Sequence, residues 1–226
     1  MFESSVVEKI KTHMLDVAPQ EGCGFVIRQG DIARFHPCEN HAATPTEDFL
    51  LDAAAFVQAS QQGEIVAVVH SHVDKALDRG PSLQDMLGQV ASGLLWGLVS
   101  ITHGQAHGPA WWGPGAPLAP YIGRPFVHGI WDCYQLVVDF YAQDYGITLP
   151  HIPREFGWWE HGENMLEEGF ADAGFTRVST PEVGDAVFAR VGRFPVSNHS
   201  GVYIGNGLVL HHLTQLVSGG GGDLQS

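Results

Sequence analysis

Basic side chains are scarce in this chain: its 226 residues carry 11 Lys and Arg against 25 Asp and Glu, a net charge of −14. That deficit excludes a nucleic-acid groove or an anionic membrane surface as the main partner. The shortage is not local. Residues 1–112 hold 6 basic and 13 acidic side chains and residues 113–226 hold 5 and 12, so neither half hides a basic patch. Cysteine is sparse too. Cys23, Cys38 and Cys133 are odd in number and unclustered, which argues against a disulfide framework and for a reducing compartment with at least one functional thiol. Long apolar runs are missing: Ile65–Val69 falls far short of the ~20 residues that span a bilayer. Met1–Met14 shows no charged leader followed by an apolar core. The expectation is a soluble chain without an integral membrane segment, intracellular at least where it is made. What is present suffices for folding, since 44% of residues are hydrophobic, and the length allows one large domain or two small ones. The 28 glycines point to many loops.

Periodicity predicts a helix over 3–17, strands at Gly24–Arg28 and Ile32–His36, a helix over Asp52–Gln62, and a buried central strand at Ile65–His72. A helix at Ser82–Leu95 and a strand at Gly97–Thr102 follow. The Pro/Gly-rich stretch 113–124 reads as a linker between domains 1–112 and 125–226. Beyond it, Asp132–Tyr145 has a helical face of Leu136, Val137, Phe140 and Tyr141, and Glu163–Ala173 is helical. Strands are expected at Asp185–Val191, His199–Ile204 and Leu208–Leu213, the last two joined through Gly205-Asn206-Gly207, with Asn-Gly as hairpin signal. Ser218–Ser226 should be flexible. The fold class is α+β in two domains.

His70 and His72 end the central strand, and alternation puts both imidazoles on one face. Two histidines leave zinc undersatisfied, so a carboxylate and a water would complete a catalytic tetrahedron. Asp85, one turn into the helix that Ser82 opens, is the natural third ligand, although Ser-x-x-Asp also resembles an ordinary capping box. His-x-His followed by Ser-x-x-Asp, with Glu21 in Pro19-Gln20-Glu21-Gly22-Cys23-Gly24 upstream, resembles the JAB/MPN (JAMM) metalloprotease motif. Cys38-Glu39-Asn40, Pro45 and Phe49 are similar to the bacterial and phage members. The resemblance implies an α/β sandwich with zinc held by His70, His72 and Asp85. Glu21 would take a proton from the metal's water, and Ser82 would donate to the oxyanion. Two departures stand out: Val73 replaces the usual proline, and nine residues rather than seven precede the serine. Cys23 is either a small buried residue or a fourth zinc ligand.

In the second half, Asp132 is a good N-cap, which places Cys133 in the first turn of a helix. There the dipole and unpaired amides are expected to depress its thiol pKa. His199 can serve as its base. Register chooses the next partner: a two-residue turn puts His212 on the His199 face, and a three-residue turn puts His211 there. Asp132-Cys133, Gly184-Asp185, His199-x-Gly201-x-Tyr203-x-Gly205 and a final histidine resemble the NlpC family of papain-like cell-wall cysteine peptidases. The family's gap of twelve between histidines implies His211. By this resemblance Cys133 is the nucleophile, His199 the general base and acid, and His211 the orienting member. The family usually continues into further strand, so the last strand is expected to be missing or supplied by a partner.

A JAMM-like domain followed by an NlpC-like domain resembles the tail-assembly proteins of lambda-like siphophages. That implies a zinc metallopeptidase joined to a cysteine peptidase cutting peptidoglycan stem peptides. Its partners would be other tail-tip proteins, and its location the host cytoplasm during assembly, then the virion tail tip. Two readings stay open beside it: a structural tail-tip component with vestigial sites, and a cellular deconjugating peptidase.

Overall fold

A computed structural model describes residues 2–213 and 219–220. Two compact units emerge, Met1–Gly80 with Leu87–Pro117, and Pro81–Met86 with Leu118–Ser226. The first half of the chain runs α1 (Ser4–Val17), β1 (Cys23–Gln29), β2 (Ile32–Cys38), α2 (Ala53–Ser60), β3 (Glu64–Val73), α3 (Leu83–Ser92), β4 (Leu95–Thr102) and β5 (Gln105–Trp112). Its five strands form one sheet in the order β2-β1-β3-β4-β5, with β3 at the centre. Only β3 and β4 are parallel, and parallel neighbours need a crossover, which α3 supplies.

Val6, Ile10 and Met14 recur at helical spacing along α1 and pack on Val26, Ala67, Val69, Val99, Ile101 and Trp111. Burying side chains of this size stabilises by ~1.5–3 kcal/mol each. Because Ala67 and Val69 face α1, strand alternation turns Val68, His70 and His72 to the opposite face. The core on one side of β3 thereby presents two histidines on the other.

Strand β5 was not expected, because Gly108 and Pro109 interrupt its pattern. Leu98 pairs with Ala110 and Ser100 with His107, so Gly108 and Pro109 together oppose Val99 in a bulge, where a proline can be accommodated. The turn before it is His103-Gly104, with φ of 52° and 71°, the primed geometry that matches strand twist. A histidine there is a weak turn signal.

The second unit contains α4 (Cys133–Phe140), α5 (Met165–Asp172), β6 (Ala186–Ala189), β7 (His199–Gly205), β8 (Leu208–His211) and β9 (Gly219–Gly220). The four strands form an antiparallel sheet in sequence order. Asp132 caps α4 by accepting from the Gln135 amide. The helix passes into a π-helical turn, Tyr141–Tyr145, and stops at Gly146, whose φ of 67° is left-handed. Tyr134 and Val137 of α4 join Leu149, Trp158, Leu166, Phe170 and Val202 in the core. The sheet's final strand, expected to be missing or borrowed, is a short one in the chain itself: Gly219 and Gly220 pair with His211 and Leu210. The rest of Ser218–Ser226 lies outside the described residues. Among the described residues no helix is long and apolar enough to cross a membrane.

Candidate active sites

At the carboxyl end of β3, His70 and His72 are buried. Phe49 stacks on His70 with centroids 4.4 Å apart and planes 16° apart, while Trp96 and Trp112 meet its ring at 5.9 and 6.2 Å. The two imidazole rings are 5.1 Å apart. Asp85 occupies the first turn of α3. His70, His72 and Asp85 each bring one ligand atom to within 4.8 Å of the others. Their convergence lies at the carboxyl end of a parallel strand, where α/β sheets commonly bind ligands.

Ser82 and Asp85 also form the capping box. The Ser82 hydroxyl donates to Asp85 Oδ2 at 2.7 Å and accepts from the Asp85 amide at 3.1 Å, while the Ser82 amide donates to the same carboxylate oxygen at 2.8 Å. A carboxylate has two oxygens, so helix capping and metal ligation are compatible.

Glu21 is buried just before β1. Its amide donates to Pro45 O at 2.6 Å, and its carbonyl accepts from Asn40 Nδ2 at 2.9 Å. The Asn40 amide group also donates to Asp48 O at 2.9 Å, and its Oδ1 accepts from the Ala42 and Leu50 amides at 2.9 and 3.1 Å. One side chain thus ties the 40–50 loop to the Glu21 backbone. Gly22 has no space for a side chain, since a Cβ would come 2.5 Å from Met14 Sδ. Glu21 Oε1 lies 3.9 Å from His72 Nε2 and 3.8 Å from Lys75 Nζ. Sequence reasoning missed Lys75, which sits in the lengthened loop and is held there by Ser100 Oγ donating to its carbonyl at 2.5 Å. Cys23 does not belong to the ligand trio. Burial pushes its thiol up to about 12, with Cys38 and Glu21 adding to the rise.

In the second unit, Asp132, Cys133, Tyr134, His128, Arg154 and His199 line one cleft of about 210 Å³. His199 Nε2 lies 3.2 Å from His211 Nδ1, so this pair forms at the expected spacing of twelve. The hairpin reaches His211 by combining both turns considered. Asn206-Gly207 is a two-residue turn closed by Gly205 opposite Leu208, and a bulge between Tyr203 and Gly205 then shifts the register to pair Gly201 with His211. His212 also lines the cleft, buried with its ring 5.3 Å from Phe126. Gly184-Asp185 lies outside the cleft lining and has a structural part: the Gly184 carbonyl accepts from Tyr141 Oη at 2.6 Å, and the Asp185 carbonyl from the Tyr203 amide at 2.9 Å.

The electrostatics correct one expectation. Burial, then the charge of Asp132, pushes the Cys133 thiol up to about 11, against smaller opposing effects of Ser200 and Arg154. The helix start is outweighed by desolvation and an adjacent buried carboxylate. Burial, then His211 and His212, holds His199 down at about 4. The resting pair at pH 7 is therefore a neutral thiol and a neutral imidazole. Burial alone would raise the Asp132 carboxyl, but Arg154, His128 and the Gln135 and Gly129 amides hold it below the usual carboxylate range.

A family model for the NlpC/P60 family matches residues 123–219, the stretch that carries Cys133, His199 and His211. Over 215 residues the chain is 33% identical to tail tip assembly protein K of Escherichia phage N15, covering 94% of this chain and 86% of that one. It is 36% identical over 168 residues to tail tip assembly protein K of Escherichia phage lambda, covering 72% of this chain and 77% of that one. The chain belongs to the tail tip assembly protein K family and carries an NlpC/P60 domain. A solution structure of a Desulfitobacterium hafniense protein, 24% identical, covers 44% of this chain and 73% of its own with a TM-score of 0.37, too distant to carry an argument.

Proposed function

We propose that the chain assembles into a phage tail tip and that its second unit is a cysteine peptidase for peptidoglycan stem peptides. The observation that carries this reading is the His199–His211 contact at 3.2 Å, with His199 lining the same cleft as Cys133. His199 takes the thiol proton as Cys133 Sγ attacks the peptide carbonyl, then returns it to the leaving amine; water hydrolyses the thioester. His211 fixes the ring orientation and tautomer of His199. Partners are other tail-tip proteins, and the location is the host cytoplasm during assembly and then the virion tail.

The first half of the chain, residues 1–112, is read as a JAB/MPN-like zinc metallopeptidase. Two imidazoles and a carboxylate, buried and within 4.8 Å of one another, suit zinc, whose ligand atoms sit about 3.3 Å apart in a tetrahedron of ~2.0–2.1 Å bonds. His70, His72 and Asp85 would hold the ion, which when bound supplies a Lewis acid and an acidified water. Glu21 is placed to hold a proton beside His72, and the Ser82 hydroxyl keeps Asp85 oriented. Lys75 favours a second reading for this unit alone, a structural one, because its ammonium lies 3.8 Å from Glu21 and would quench a base.

The test is digestion of purified peptidoglycan by intact chain, by Cys133→Ala and by chain stripped with chelator. The reading requires loss in the cysteine variant and survival under chelation. The reverse pattern would assign wall cutting to the metal site.

A further inference from the structure

We propose that Arg154 is a positioning residue for Cys133, and that it acts by cancelling the charge of the neighbouring Asp132. The inference rests on reading Cys133 as the nucleophile. Asp132 and Arg154 are each 3% exposed, and Arg154 Nη2 donates to Asp132 Oδ2. The guanidinium is fixed from two other sides: Nη1 donates to Ile152 O at 2.7 Å, and its carbon sits 5.0 Å over the Tyr134 ring. Asp132 accepts from the Gly129 amide at 2.8 Å and the Gln135 amide at 3.0 Å. It is therefore locked in place as the cap of the helix that Cys133 opens. Both ends of the ion pair line the same cleft as Cys133 and His199.

A cap does not require charge, since Asn, Ser or Thr also serves at that position. A buried carboxylate one residue from the nucleophile opposes thiolate formation, because like charges in a poorly solvated site repel strongly. The groups around the thiol are Asp132 and His128 before α4, His151 and Arg154 from the 150–155 segment, His199 on β7, and His211 and His212 at the end of β8. Burial and the charge of Arg154 hold His128 and His151 at about 4. They are neutral at pH 7 and cannot stand in as the counter-charge. Arg154 can, being permanently charged. The arrangement separates two duties: Asp132 fixes the backbone at the nucleophile, and Arg154 removes the electrostatic penalty of using a carboxylate to do so.

The experiment follows iodoacetamide alkylation of Cys133 against pH in the full chain, by peptide mass spectrometry. Arg154→Met should slow alkylation near pH 8 by about threefold to tenfold, since a raised thiol pKa lowers the thiolate fraction while partly raising its nucleophilicity. Adding Asp132→Asn, which keeps the cap, should restore the rate to within about twofold. Arg154→Lys should keep most of the rate. An unchanged rate in Arg154→Met, or a slow rate that Asp132→Asn does not restore, overturns the proposal and leaves Arg154 a packing residue. If Arg154→Met does not fold, Asp132→Asn alone decides: alkylation should accelerate, and an unchanged or slower rate refutes the inference. Alkylation reads the thiol and not hydrolysis. A chain that alkylates as expected yet cuts no peptidoglycan supports the role of Arg154 and refutes the peptidase assignment.

Discussion

The two candidate sites reach buried polar chemistry by different routes. At the first site two imidazoles end a central strand, and donors and acceptors on loop backbone hold Glu21 in place. In the second, a helix start meets a hairpin, and burial leaves the thiol and imidazole neutral. The difference is one of what the protein must bring from outside. On the proposed reading, two imidazoles and a carboxylate would become reactive through an ion, whereas a thiol and a base would need only the correct proton transfer between them. The two should therefore fail independently.

The largest expected effect tests that independence. Cys133→Ala should reduce peptidoglycan cutting by at least about 10³-fold, as losses of a nucleophile in covalent catalysis do, with zinc content unchanged by elemental analysis. A cysteine variant that still cuts would end the comparison. Next, His72→Ala should lose most of the bound zinc without slowing Cys133 alkylation; full retention of zinc would place the ion elsewhere.

A pH titration sharpens the contrast from the second unit's side. His128 and His199 are held at about 4, below the ~6.5 of an exposed imidazole. The unfolded chain takes up protons below that value which the folded chain refuses. Their stabilising contribution is thus fully present above about pH 6.5 and is lost as pH falls toward 4, by at most about 3 kcal/mol per group and less for the half-buried His199. Denaturant midpoints should fall between pH 7 and 4.5, and His128→Gln should flatten that fall. A flat wild-type profile would show that these imidazoles are not held neutral by the fold.

The smallest effect concerns Lys75. Its side chain is 49% exposed, so Lys75→Met should change stability by under about 1 kcal/mol. If Lys75 quenches Glu21, the substitution should instead raise metal-dependent peptidase activity on a model peptide. No change in activity would remove the support that this contact gives to a vestigial first site.

Much of this arrangement was legible because it depends on local periodicity. The β-branched run Ile65–Val69 announced a central strand, and the alternation that buries Ala67 and Val69 against α1 dictates where His70 and His72 point. Asp132 as a cap and Asn206-Gly207 as a turn are single-residue signals with a direct physical cause. What escaped was non-local or electrostatic. Arg154 lies 22 residues from its partner Asp132, and no spacing rule joins them. The thiol pKa went the wrong way because a helix start is visible in sequence and burial is not. Strand β5 was hidden by a bulge whose Gly108-Pro109 reads as a loop until its opposite, Val99, is known.

The bulge between Tyr203 and Gly205 has a further consequence for how such a site can change. His211 and His212 are adjacent, yet the choice between them is made seven residues away, by whether one extra backbone unit is accommodated in the hairpin. Which of them meets His199 is encoded as a parity. No side-chain replacement in the turn need alter it so long as the bulge is kept, while straightening the bulge with every residue retained would put Val202 opposite His211 and exchange the two histidines in a single step. For this hairpin the bulge, rather than the residues at its tip, is the decisive feature.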